Sequence, residues 1–216
     1  MKRTGELLFV VFFIFIGVLI CGEDENPWIE FILKPTKSNF VKCLDQIRES
    51  LSTDLEPHET LTYKQLVEKC SFCDYSVLGE LSELVEEGDT LAGELLFALV
   101  PIFRTNPSIS EENDATFGLF AGVRPEHFLR LAKRYWFSEE LYRCKYPDRE
   151  LKYALVALGE RYHDELEKSL KKLIERRSKI ERVTDEDLRD IKEKALRILD
   201  EDIKDYGRML ENMKKE

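Results

Sequence analysis

Apolar side chains recur every three or four positions along most of the chain, the period that gathers them on one face of a helix. The first such stripe is Phe40, Leu44, Ile47 and Leu51, predicting a helix over about Ser38 to Leu51. Pro35 lies just upstream, and Ser38 offers a hydroxyl to the free N–H groups of the first turn. A second helix is predicted over about Thr62 to Lys69. A third, about Tyr75 to Glu87, aligns Leu78, Leu81 and Val85 and meets Gly88, a residue type suited to a left-handed helix end. Asp89 then caps a fourth helix carrying Leu91, Leu95, Leu96, Leu99 and Phe103.

The interval Arg104 to Glu112 holds Asn106-Pro107 and two serines and reads as a loop. Ser110 starts a short helix through Phe117 and Phe120 that stops at Gly122. Pro125 opens another, with Phe128, Leu129, Leu131, Ala132, Tyr135 and Trp136. From Pro147, Leu151, Leu155, Leu158, Tyr162, Leu166, Leu170 and Leu173 repeat at three or four with Glu and Lys between them, predicting one helix of about thirty residues. Thr184 and Asp187 have capping-box spacing, and Leu188, Ile191, Ala195, Leu199, Ile203, Tyr206, Leu210 and Met213 then line one face to the end. Two long amphipathic helices joined by a tight turn pack as an antiparallel hairpin. Lys171, Lys172, Arg176, Arg177, Glu193 and Asp200 fall on its solvent side in this reading.

The expected architecture is therefore all-α: stacked helical hairpins over residues 23–146, followed by a long charged hairpin over 147–216. Phe40 and Phe128, each a few residues after a proline, stand 88 positions apart, twice a spacing within the roughly 40–47 residues of a HEAT unit. In that respect the chain loosely resembles a HEAT-like array, which implies helical pairs stacked side by side.

Residues 1–22 have a different character. Met1-Lys2-Arg3 is a positive start, Leu7 to Cys21 is an unbroken apolar run, and Glu23-Asp24-Glu25 follows at once. This is the shape of a secretory signal peptide. Fifteen residues at about 1.5 Å each fall short of the roughly 30 Å hydrocarbon layer, so a lasting span is not expected. Cleavage after Gly22 is the first reading. The alternative is lipidation of Cys21, which resembles the modified cysteine of bacterial lipoproteins, although Ile20 stands where that pattern has a small residue. The expected location is the periplasm or the exterior of a bacterial cell, or a lipid anchor in its envelope.

Charge narrows the partners. The net charge is −10, and between Asp54 and Asp114 there are 14 acidic residues against Lys64, Lys69 and Arg104. Such a segment repels phosphate backbones, so nucleic acid is not an expected partner. Residues 124–145 invert the sign, with six basic and three acidic groups. There Arg130, Arg134, Tyr135, Trp136 and Tyr142 form the candidate partner-binding group, because aromatics and arginines concentrate at binding hot spots. The competing view is that the aromatics are core and the bases pair with the acidic segment.

Specific chemistry is sparse. Cys70-Ser-Phe-Cys73 has C-x-x-C spacing without a preceding strand, and Cys43, Cys70, Cys73 and Cys144 are candidates for disulfides in an oxidising compartment. The same four match the ligand number of a zinc site, but a second close pair is missing. Glu160 and His163 have Glu-x-x-His spacing, of which a di-iron bundle needs two copies; Arg124 and Leu55 precede His127 and His58 instead. No catalytic motif and no cofactor site is predicted. The expectation is a non-enzymatic exported protein that binds another protein, with a secreted or periplasmic hydrolase-like enzyme using unrecognised acids as the alternative.

Overall fold

The computed structural model of the chain describes residues 26–52, 75–103, 107–138, 144–158 and 166–213. Every regular element among them is helical: α1 (Pro27–Leu33), α2 (Lys37–Ser52), α3 (Tyr75–Glu86), α4 (Thr90–Phe103), α5 (Pro107–Val123), α6 (Pro125–Ala132), α7 (Pro147–Val156), α8 (Leu166–Glu181) and α9 (Arg189–Met213). A π-helical turn, Lys133–Phe137, continues α6, and a 3-10 turn, Glu186–Leu188, leads into α9. The fold is all-α. The helix predicted over Thr62 to Lys69 and the signal peptide predicted over residues 1–22 lie outside the described residues.

Helix α4 shows why the elements assemble as they do. Every residue from Leu95 to Val100 is buried, so the helix is apolar around its whole circumference and occupies the centre. Phe97 on α4 lies 4.6 Å, ring centre to ring centre, from both Phe117 of α5 and Trp136 of the π turn, and 5.6 Å from Phe128 of α6. Helix α1 closes one side with Trp28 and Phe31, both fully buried; the Trp28 indole N–H donates to Gln46 at 2.8 Å. The core is a single cluster that runs from Trp28 through Leu151 and Leu155 to Leu199.

The predicted punctuation marks act as expected at two junctions. Gly88 has φ +91°, the left-handed conformation that ends α3, and the Asp89 carboxylate accepts the Ala92 N–H at 2.8 Å to begin α4. Pro125 occupies the first turn of α6, where its missing N–H is no loss.

Elsewhere the structure corrects the expectations. The helix expected from Ser110 starts at Pro107, since proline at a first helical position opens a helix as readily as it marks a loop. The long helix expected from Pro147 ends at Val156, and Ala157 is extended with ψ 133°. The turn before α9 is capped by Asp185, whose carboxylate accepts the Asp187 N–H at 3.0 Å, rather than by Thr184. The HEAT-like array is not what the packing displays. Helix α5 packs against α3, α4, α6, α7 and α8, whereas a repeat in an array touches mainly its neighbours, and Phe40 and Phe128 enter one common core.

Helices α8 and α9 do pair. Arg177 on α8 meets Asp200 on α9 at 2.6 Å, and Lys192 donates to the Val183 carbonyl at 2.6 Å, so the two run antiparallel. Lys171, Lys172, Glu193 and Asp200 are exposed as predicted, and Arg177 is partly so. Arg176 is not. It is buried to 5% exposure, where one guanidinium nitrogen donates to the carbonyls of Leu155 and Ala157. Those carbonyls close the C-terminal end of α7, where the helix dipole leaves partial negative charge to balance the cation. Burial still pushes the Arg176 pKa down to about 10.

Candidate functional site

The predicted binding group sits on and around the π turn. A π turn widens the helix by one residue, a distortion found often at functional positions. Here it brings consecutive residues onto different partners. Arg134 and the Tyr135 hydroxyl both donate to the same carboxylate oxygen of Glu94 on α4, at 2.5 and 2.9 Å. The Arg134 guanidinium also lies 5.3 Å from the Tyr135 ring. Trp136 points into the core against Phe97, Phe117 and Phe128, and its indole N–H has no acceptor.

Arg124, Arg130 and Lys133 are exposed and bond to groups beside them. Arg130 bridges Glu126 at 2.8 Å and Asp185 of the α9 approach at 2.9 Å. Lys133 donates to the Asp187 carbonyl at 2.5 Å, and Arg124 to the Gly88 carbonyl at 3.2 Å. His127 lies edge-on to Phe120 at 6.1 Å, and burial pushes its pKa down, partly countered by Glu94. Tyr135 and Trp136 are 2% and 1% exposed, so the structure places them in the core. Of the predicted group, Arg130 and Arg134 keep accessible surface while tying the π turn to α4 and to the hairpin turn; Tyr142 lies outside the described residues.

The cysteines divide in the same way. Cys43 is fully buried and its thiol donates to the Pro27 carbonyl at 3.3 Å. Burial, with the Glu30 carboxylate nearby, pushes its pKa up to about 12. Cys144 is half-buried against the core. No disulfide forms among the described residues, which corrects the expected bridge as far as Cys43 and Cys144 are concerned. Cys21, Cys70 and Cys73, and with them His58, Glu160 and His163, lie outside the described residues. Among the described residues no group of three or more His, Cys, Asp or Glu is arranged to hold a metal, and no helix is long and apolar enough to cross a membrane.

Sequence reasoning missed the surface that Arg149 and Tyr153 make with Tyr146 along α7. Tyr146 and Tyr153 are each 46% exposed, one on either side of Arg149. The Arg149 guanidinium lies 4.4 Å from the Tyr146 ring and 6.0 Å from the Tyr153 ring, with Lys145 at 5.2 Å from Tyr146. Beneath them Glu150 is buried and lies 3.6 Å from Arg149. The ladder is legible in retrospect, because positions 146, 149 and 153 have the three-and-four spacing of one helical face. It escaped notice because the same positions alternate with the leucines of the core stripe.

A close interhelical contact lies at the C-terminal end of α7. Gly118 of α5 allows the close approach of α7 and α8: a Cβ there would stand 2.4 Å from the Ala157 carbonyl oxygen and 2.7 Å from the Arg176 guanidinium. The hairpin is thereby locked to the core through Arg176. Compared with known proteins, the chain matches no family model, no curated protein and no solved structure.

Proposed function

We propose that this is an exported, non-enzymatic helical protein that binds another protein in a bacterial envelope or outside the cell, through the exposed face of α7. The observation that carries the reading is the Tyr146–Arg149–Tyr153 ladder. Tyrosines presented to solvent on a rigid helix offer large contact area at small entropic cost, and arginine held between two rings is already ordered for binding. The export part rests on Met1-Lys2-Arg3 and the apolar run Leu7 to Cys21.

The test is paired capture from envelope extract with the wild-type chain and with Tyr146→Ala/Arg149→Ala/Tyr153→Ala. All three side chains lie at the surface, so the variant keeps its circular dichroism spectrum. A partner enriched by the wild type and lost by the variant is the expected result; identical capture profiles overturn the assignment to α7. For export, intact mass on envelope material gives a chain starting at Glu23 or carrying lipid on Cys21. Full-length chain confined to the cytosol overturns it.

A further inference from the structure

The α8–α9 hairpin is covered by the core over only part of its length. Leu173, Ile180, Ala195 and Leu199 are nearly or fully buried, whereas Leu166, Leu170, Ile203, Tyr206 and Leu210 towards the far end are half open. Beside them Ile174, Met209 and Met213 are 47%, 54% and 66% exposed. The Arg177–Asp200 contact fixes the register, so this open end is made of the first half of α8 and the last half of α9. Two helices bury one side of each stripe, and a second hairpin is needed to bury the other.

We propose that the occupant is a second copy of this chain, the two hairpin ends forming a four-helix bundle about a two-fold axis. Charge selects this partner. The end of α8 is net positive, with Lys168, Lys171 and Lys172 against Glu167 and Glu175. The end of α9 is net negative, with Glu201, Asp202, Asp205 and Glu211 against Lys204 and Arg208. A two-fold axis places α8 of each copy beside α9 of the other, so each positive edge meets a negative one, which closes the assembly at two chains. The ladder on α7 plays no part in this contact, and the dimer stands or falls independently of the proposed partner.

The experiment is sedimentation velocity on the full-length gene product, purified as the cell processes it. Wild type sediments as a dimer that dissociates on dilution. Leu210→Glu/Met213→Glu, both at the open end, sediments as a monomer with an unchanged helical spectrum. Lys171→Glu/Lys172→Glu makes both edges negative and weakens self-association about tenfold, and Glu201→Lys/Asp205→Lys makes both positive with the same effect. Mixing these two variants restores a dimer containing one of each. A wild type that stays monomeric at all concentrations overturns the proposal. So does a dimer insensitive to Leu210→Glu/Met213→Glu, or a mixture that fails to pair, since a different partner or a different face then covers this surface.

Discussion

Gly118→Ala separates close packing from helix propensity by the sign of its effect. In an open helix the change from glycine to alanine stabilises by about 1 kcal/mol, because alanine loses less backbone entropy on folding. Gly79 in α3 is such a position, with nothing within 4 Å of an added Cβ, so Gly79→Ala serves as the matched control. At Gly118 the added methyl meets the Ala157 carbonyl at 2.4 Å, and a backbone oxygen at a helix end has little room to retreat. It also meets both terminal nitrogens of Arg176, at 2.7 and 2.9 Å, the second of which is already committed to the Leu155 and Ala157 carbonyls. Overpacking of this kind costs about 1–3 kcal/mol, and displacing Arg176 from its carbonyls adds about 1–3 kcal/mol for buried groups left unpaired. After the propensity gain of about 1 kcal/mol, the net expectation is a loss of about 1–5 kcal/mol. Urea unfolding followed by circular dichroism at 222 nm measures both variants against wild type. If Gly118→Ala is as stable as wild type, or gains as Gly79→Ala does, then α5, α7 and α8 do not approach through this contact.

Glu94→Ala removes the acceptor shared by Arg134 and the buried Tyr135 hydroxyl and is expected to destabilise by about 2–4 kcal/mol, with Glu94→Gln losing less because an acceptor oxygen remains; chemical denaturation ranks the two. Cys43 has a folded pKa raised from 9.0 to about 12, so its contribution to stability is complete below pH 9 and is lost as pH rises from 9 towards 12, because only the unfolded chain ionises there. A Cys43→Ser variant flattens that part of the stability–pH profile, and a thiol reagent labels Cys43 in the native protein only after unfolding. His127 has a folded pKa below its usual 6.5, so the unfolded state takes up its proton first as pH falls through 6.5. Stability is thus lost on that descent, and His127→Gln reduces the loss; an unchanged acid limb counts against a desolvated imidazole.

Local rules carried most of the fold because they act within a few residues. Gly88 and Asp89 could be assigned from neighbours alone, since a left-handed helix end and an N-cap are each decided by one turn of backbone. The stripe of Leu188, Ile191, Ala195 and Leu199 was equally plain. The α7 end was not, because the groups that stabilise it are remote: the Leu155 and Ala157 carbonyls are satisfied by Arg176, about twenty positions further along, and apolar periodicity runs straight through the break. The π turn was not legible for a related reason. Seven-residue spacing from Phe128 and Leu129 already places Tyr135 and Trp136 on the buried face, where both lie, so apolar periodicity runs through the widened turn without marking it.

Arg176 stands where the apolar period itself marks a buried position. Leu173, Arg176 and Ile180 follow the three-then-four spacing of the buried face, so the arginine occupies a core position in the α8 stripe. A cation there requires a reason, because desolvating it is unfavourable unless its donors are satisfied. Assigning it to solvent broke the period at that one site, and the break was the signal. The resolution needs no carboxylate: carbonyl oxygens at a helix C-terminus supply both acceptors and partial charge. Arg176→Lys tests that reasoning directly. Lysine keeps the charge, but its nitrogen stands one bond nearer the backbone than the terminal guanidinium nitrogen that donates to both carbonyls, so it does not reach them at the same depth. It is expected to lose about 1–3 kcal/mol in urea unfolding, the range for a buried acceptor left unmade. A fully stable Arg176→Lys would mean that charge at the α7 terminus suffices, and that the two-carbonyl geometry contributes nothing.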